Sequence, residues 1–380
     1  MARTVTWEEL RDLAGVHAQR GLAISLYLDL DPSVSPTPGD AQTRLRSLLD
    51  QGAKADGAGK GELTHAERVG LRDDFERIRR YFETEFERNG ARAVAVFCAG
   101  LDGVWRSLPL TEAVPDGIRL GRDLYLAPLV PLVGRGDGAL VVVVGREQGR
   151  LYRLRAGRLE EVADLSEKQP RRHDQGGWSQ ANMQRHADEL AQEHLRRVAD
   201  EVDRAVRADD GAEVVVVASD ETWAEFEDVV APETRSAIAG VAHAKAHAQG
   251  TELLSAAGPV LERRRAEREV ELLERWREEA GRDGRASSGW AATLEAASDG
   301  RVEQLLYQEG ANRPAKRCPA CGRIAAEGES CPLDGTAFES SEDGLNLAVQ
   351  RTLAHGGTVW AVRGRRDLDP VEGIGALLRF

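Results

Sequence analysis

The sequence predicts three consecutive mixed α/β domains, and three observations carry that prediction. Short apolar runs such as Ala93–Phe97, Ala139–Val144 and Glu213–Ala218 have strand length and are rich in valine. Between them lie longer stretches whose apolar residues step by three and four, as in Thr64–Arg88 and Gln169–Arg207. A turn-rich break at Gly134–Gly138 and a glycine near 240 separate the groups. The expected division is 1–133, 134–245 and 246–380, with a Cys-rich insertion at 316–336 in the last.

In chain order, Trp7–Gln19 reads as a short helix and Ala23–Leu28 as a strand. Asp29–Asp40 is a proline-broken loop, and Ala41–Leu49 is helical. Asp56–Gly61 is a glycine-rich linker. Thr64–Arg88 is a long helix with Leu71, Phe75, Ile78, Phe82 and Phe86 on one face. Ala93–Phe97 pairs as a hairpin with Gly103–Leu108. In the second domain, Ala139–Val144 and Arg150–Arg155 form a hairpin, followed by a strand at Arg158–Ala163. The four valines of Glu213–Ala218 suit a strand buried on both faces. Trp223–Val230 and Glu233–Ala239 read as helices. In the third, Leu261–Glu279 is a charged helix and Gly281–Gly289 a linker-like break. Ala291–Ala297 is helical, Arg301–Leu306 a strand, Leu345–His355 a helix closed by Gly356-Gly357, and Thr358–Val362 a strand.

The chain has 380 residues, 41% of them hydrophobic, enough for several cores. No run of eighteen apolar residues is present, and the first residues lack a signal-peptide core. A cytoplasmic protein that is monomeric off its partner is expected. Four cysteines, three of them clustered, fit a reducing compartment. The net charge of −13 argues against a general coat of basic residues for nucleic acid. Local basic stretches remain at Gly145–Arg158, Ala311–Arg323 and Arg363–Arg366. A salt-laced surface is the competing reading of these.

The most informative stretch is Arg171-Arg172-His173-Asp174-Gln175-Gly176-Gly177-Trp178-Ser179-Gln180, a polar, glycine-bearing loop that runs into a long helix. Met183, Ala187, Leu190, Ala191, Leu195, Val198, Val202 and Val206 form one apolar face of that helix. Glu193/Arg197 and Asp200/Arg204 sit four apart on the other side, with the acid N-terminal. Free N–H groups and partial positive charge at the helix start, with arginines before it, suit an anion such as phosphate. A glycine turn feeding an ordinary surface helix is the alternative.

This stretch resembles class I peptide-release factors of archaea and eukaryotes, in which a basic loop ending Gly-Gly-Gln-Ser leads into a long amphipathic helix. Here the string is Gly176-Gly177-Trp178-Ser179: Trp178 stands where the family has glutamine, and Gln180 lies two positions on. Thr293–Leu306 resembles the family's third domain. The tail Gly373-Ile374-Gly375-Ala376-Leu377-Leu378-Arg379-Phe380 resembles the Gly-x-x-Leu-Arg-aromatic terminus of release factors and Pelota. The family's codon-reading motifs align with Asp40-Ala41-Gln42-Thr43 and with Tyr125-Leu126-Ala127-Pro128, where only the tyrosine matches.

The resemblance therefore implies release-factor domain order without codon reading. It further implies a hibernation or stress factor that occupies the vacant ribosomal A site, contacting 23S and 16S rRNA through Arg171, Arg172, His173, Gln175, Gly176, Gly177, Trp178, Ser179 and Gln180. Elongation factor Tu is the implied partner protein, and no membrane is involved. No catalytic residue is expected in that reading. The alternative is a peptidyl-tRNA hydrolase acting in rescue through Gln180. A third reading is an α/β protein that binds other proteins and never touches a ribosome.

Cys318-Pro319-Ala320-Cys321-Gly322 is a metal knuckle, and Cys331-Pro332-Leu333-Asp334-Gly335 repeats its frame with aspartate in the last position. Cys318, Cys321, Cys331 and Asp334 make a structural zinc set, since carboxylate oxygen is an acceptable ligand. A degenerate ribbon without its ion is the alternative. Some archaeal release factors carry a comparable insertion. His243 and His247 lie four apart on an expected helix, without the acid of a zinc-protease motif, and read mainly as helix surface. Cys98 reads as core.

Overall fold

The protein is described from a computed structural model covering residues 5–55, 63–133, 138–155, 157–166, 180–208, 212–245, 248–282 and 284–380, with the side chains of 38, 55 and 180–184 outside the description. The mixed α/β class holds. One compact unit joins Met1–Val133 to Glu269–Phe380, and a second spans Gly134–Arg268.

The first segment contains α1 (Trp7–Ala14), β1 (Ala23–Asp29), α2 (Pro38–Ala55), α3 (His65–Thr84), β2 (Ala93–Ala99), β3 (Val104–Leu110) and β4 (Gly117–Gly121). The sheet runs β3-β2-β1-β4, with every pair antiparallel. Helices α1 and α3 start at capping boxes, Thr6/Glu9 and Thr64/Glu67, which satisfy orphan backbone donors on both sides. Strand alternation divides β1 between two cores. Ile24, Leu26 and Leu28 face Leu45, Leu49, Leu71, Phe75 and Ile78 of α2 and α3. Ala23 and Tyr27 face the opposite way. Helix α1 ends five residues before Gln19, closed by Gly15, whose N–H donates to Arg11.

The central unit contains β5 (Leu140–Val144), β6 (Gly149–Arg155), β7 (Arg158–Asp164), α4 (Gln180–Ala208), β8 (Val214–Val217), α5 (Asp220–Glu227), α6 (Pro232–Ala237), β9 (Ile238–Ala242) and the first part of α7 (Thr251–Gly281). Its sheet order is β7-β6-β5-β8-β9, with β5, β8 and β9 parallel. Val214 and Val216 pack under α4 and α5; Val215 and Val217 pack against Leu253, Ala257 and Val260 of α7. Burial on both faces is why β8 reads as a continuous valine run. Strand β9 was not expected: the helix reading extended to Ala239. The chain turns extended at Ile238 and passes Gly240 at φ +153°, where parallel pairing to β8 replaces helical bonds.

The remaining segment contains β10 (Ala286–Ser288), α8 (Trp290–Ser298), β11 (Val302–Gln308), β12 (Ala315–Arg317), β13 (Ile324–Ala325), β14 (Glu339–Ser341), α9 (Gly344–Ala354), β15 (Thr358–Val362) and β16 (Ile374–Leu378). A mixed sheet runs β10-β16-β11-β15, and a small one runs β13-β12-β14. The break expected at 281–289 holds a strand, β10. The release-factor-like tail supplies an interior strand, β16, with all five residues buried. There Gly375 is required, because a Cβ would lie 2.7 Å from the Trp276 indole nitrogen.

Within this unit the first and last segments share one apolar core. Leu10, Leu13, Tyr27, Leu124, Leu126 and Leu129 pack with Leu294, Leu345, Val349 and Leu353. Among the described residues, no helix is long and apolar enough to cross a membrane.

Candidate functional site

The four sequence-selected metal ligands converge. Strand β12 delivers the chain into a tight turn in which the Gly322 N–H donates to the Cys318 carbonyl (2.9 Å) and the Cys318 N–H to the Arg323 carbonyl (2.8 Å). The second turn repeats this: the Gly335 N–H donates to Cys331 (2.9 Å) and the Cys331 N–H to Thr336 (2.8 Å). Gly322 and Gly335 both take positive φ, +73° and +72°, which glycine adopts without strain. Two like turns thus aim two pairs of side chains at one point.

The donor atoms of Cys318, Cys321, Cys331 and Asp334 lie within 4.8 Å of one another. Cys318 Sγ is 3.5 and 3.6 Å from the two Asp334 carboxylate oxygens, and Cys321 Sγ is 3.5 Å from Cys331 Sγ. Donors about 2.3 Å (sulfur) and about 2.0–2.2 Å (oxygen) from a tetrahedral centre stand roughly 3.5–3.8 Å apart. The set therefore fits zinc with little movement. Cys318 and Cys331 are buried; Cys321 and Asp334 are exposed. Among the described residues this is the one cluster of its kind.

The electrostatics are those of crowded anions. Donors from Thr336 backbone and side chain hold the Asp334 carboxyl down at about 2. At Cys318, burial opposes ionisation, but backbone donors from Cys321 and Ala320 outweigh it and lower the thiol. At Cys321, a backbone donor from Arg323 favours the thiolate; burial and the neighbouring Cys318, Cys331 and Asp334 prevail and push it up to about 11. Such a group ionises in full only when a cation compensates it. A bound zinc ion would supply that cation and a structural cross-link, held by these four residues.

The cluster's neighbours escaped the sequence reading. Arg317 makes an ion pair with Asp123, and its guanidinium lies 3.3 Å from His17 Nδ1, itself 2.7 Å from the same carboxylate. On α9, the Asn346 side-chain oxygen accepts from the backbone of Leu126 (2.7 Å) and Ala127 (3.3 Å), while its amide donates to Leu124 (3.0 Å). Gln350 donates to the same Leu124 carbonyl. An asparagine and a glutamine four apart, set among Leu345, Leu347, Ala348 and Val349, were the available signal.

The expected RNA-binding loop falls largely outside the described residues: Arg171, Arg172, His173, Gln175, Gly176, Gly177, Trp178 and Ser179 are not described. Gln180 opens α4, and only its backbone is described. The body of α4 matches the reading, with Ala191, Leu195, Val198 and Val202 buried. Nearer its start the expected apolar face is not covered: Ala187 is exposed and Leu190 is 48% exposed. Arg146, in the β5–β6 turn, ties that region down through Asp188 (2.8 Å) and through Glu225 of α5 (3.4 Å). Arg204 pairs with Glu201 rather than Asp200.

The basic stretches are mostly neutralised. Arg150 pairs with Asp164, Arg155 with Glu160, Arg313 with Glu372, Arg323 with Asp299, Arg363 with Glu309 and Arg365 with Asp367. A cationic end remains where, among the described residues, the Arg285 side chain donates to the Arg379 carbonyl and the Arg379 side chain to the His355 carbonyl, beside the exposed Phe380. Residues 243–245, expected on a helix, are not helical. His243 lies beyond β9 with Nδ1 2.9 Å from the Ala218 carbonyl, and His247 is outside the described residues. Tyr125 is pinned in the scaffold, with its carbonyl accepting from the Tyr27 hydroxyl and its ring edge-on to Tyr27. Cys98 is core, its thiol pushed up chiefly by burial.

Residues 125–262 match the family described as bacterial archaeo-eukaryotic release factor family 10. No curated protein matches the chain. Among solved structures, an archaeal translation termination factor, aRF1, is 17% identical over 99% of each chain, with a TM-score of 0.27. Pelota from Archaeoglobus fulgidus is 14% identical over 100% of this chain and 93% of its own, with a TM-score of 0.35. A ribosome-bound archaeal Pelota described with ABCE1 is 12% identical over 100% and 95%, with a TM-score of 0.43.

Proposed function

We propose that this release-factor-like chain is a ribosome-binding hibernation or stress factor. It occupies the vacant A site, with its central loop near the peptidyl-transferase centre and its first segment near the decoding centre. It neither reads codons nor releases peptide. The observation that carries the reading is the family match over 125–262, a span containing the basic Gly-Gly loop and the amphipathic helix after it.

Trp178 decides between occupancy and hydrolysis. The family's glutamine offers both donor and acceptor to a water; indole has one donor and no acceptor. Its flat face suits stacking on an unpaired rRNA base. In the first segment, only Tyr125 survives of the codon-reading motifs, and its carbonyl and ring are spent on Tyr27. With most arginines of the basic stretches paired internally, binding relies on the loop cations and on local patches such as Arg285 and Arg379, and it is accordingly salt-sensitive. Zinc at the cysteine cluster is structural. Elongation factor Tu is the candidate delivery partner.

The test is pelleting with vacant ribosomes, with and without tRNA in the A site, followed by peptidyl-tRNA hydrolysis on the same complexes. Binding that A-site tRNA displaces, with no hydrolysis, is expected. Hydrolysis that Gln180→Ala abolishes would transfer the assignment to rescue. Absence of binding at low and moderate salt would remove both.

A further inference from the structure

We propose that the metal centre is the latch of the seam between segments 5–133 and 284–380: an ion held by Cys318, Cys321, Cys331 and Asp334 fixes Arg317 where it grips Asp123 and His17. The inference rests on reading the cluster as a metal centre, and it assigns that centre a partner across the seam.

Of residues 318–338 only Cys318, Ile324 and Cys331 are buried; Leu333, the other large aliphatic side chain there, is 71% exposed. A stretch with so little apolar core relies on a cross-link, and the thiol cluster is the cross-link available. The small sheet β13-β12-β14 contributes only five paired positions. An ion would therefore set the conformation of the turn that begins at Cys318.

Arg317 is the residue immediately before that turn and the last of β12. Its side chain is 23% exposed, and its charge is met across the seam by Asp123. His17 closes the triangle, 3.3 Å from Arg317 and 2.7 Å from Asp123. The residue after Asp123 is Leu124, whose carbonyl accepts from Asn346 and Gln350 of α9. The ion pair and the α9 contacts thus grip adjacent residues of the link that follows β4.

A second tie runs from the cluster to α9. Arg351 donates to the Ser298 carbonyl (3.2 Å) and makes no ion pair among the described residues. One of its guanidinium nitrogens is 3.4 Å from the Cβ position of Gly322 in the first knuckle. Zinc with three thiolates and one carboxylate carries a net negative charge, so the loaded centre supplies Arg351 with a counter-charge. Arg351 sits one residue after Gln350. Loading the centre thereby orders the seam from both sides.

The experiment uses the full chain. Bound zinc is measured by elemental analysis, and hydrogen exchange is followed with and without a strong zinc chelator. Chelation is expected to speed exchange about tenfold or more at 123–127 and 346–351, and to leave β5 and β6 unchanged. Arg317→Met should keep its zinc and show the same opening, with Arg317→Lys intermediate. Zinc loss without change at the seam, or a zinc-loaded Arg317→Met with a closed seam, overturns the coupling. A chain that takes up no zinc from zinc sulfate overturns it through the metal reading, a failure told apart by the elemental analysis alone.

Discussion

Asn346→Ala is expected to unfasten the seam by a calculable amount. Asn346 is 6% exposed and makes three hydrogen bonds to backbone of the other segment, at 2.7, 3.3 and 3.0 Å. Its removal strands the N–H groups of Leu126 and Ala127, both buried residues. The Leu124 carbonyl keeps Gln350. A buried group left without its partner costs about 1–3 kcal/mol. With the weaker 3.3 Å bond counted at the low end, the total is roughly 2–4 kcal/mol. For a unit of this size, each kcal/mol lowers the melting temperature by about 2–4 °C. Urea unfolding followed by fluorescence of Trp290, which is buried in this core, reads the effect directly. Gln350→Ala, which leaves Leu124 still bonded to Asn346, should cost about 1 kcal/mol. An Asn346→Ala loss below about 1 kcal/mol, or no difference between the two variants, would refute the claim that these bonds hold the segments together.

Gly149→Ala should destabilise the central unit by about 1–3 kcal/mol, because its Cβ would stand 2.5 Å from Val198 Cγ2 and 3.3 Å from the buried His194 ring; a chemical denaturation curve checks it. Asp31 accepts from the Ser33 hydroxyl (2.7 Å), the Ser33 backbone (2.9 Å) and Arg92, and these donors hold its carboxyl well below the usual carboxylate range. A depressed folded value means stability that is present above the unfolded value, near pH 4, and lost as pH falls below it. The stability gap between the protein and Asp31→Asn should therefore be widest near neutral pH and narrow progressively as pH falls below about 4, as read from urea midpoints across pH 2–7. Cys331→Ser should lower bound zinc from one ion per chain toward none, measured by elemental analysis. Trp178→Ala should weaken ribosome pelleting by the roughly 1–3 kcal/mol that base stacking supplies; unchanged binding would detach this residue from the rRNA contact.

The central strands and the long helix were legible because their signals are local. The valines of β8, buried on both faces, and the spacing of Leu195, Val198 and Val202 carry their own burial pattern. Elements lost in the reading owe their form to neighbours. Strand β9 begins inside a run read as helix to Ala239, and β10 is three residues of Ala-Ser-Ser. The tail looked like a motif and forms the interior strand β16. Leu190 fits the helical face by spacing, yet it is 48% exposed while the adjacent Ala191 is buried.

By itself the sequence determined the α/β class, the amphipathic helix after the Gly-Gly loop, and the four metal-ligand candidates. Knuckle geometry is local: glycine at positive φ and cysteines three apart suffice to specify it. Only the tertiary structure decided that the two knuckles meet, that most arginines of the basic stretches are already paired, and that Asn346 and Arg317 bind a segment more than 190 residues earlier. Those facts depend on which distant backbone groups and charges need partners once buried, a demand that arises only when the core has closed around them.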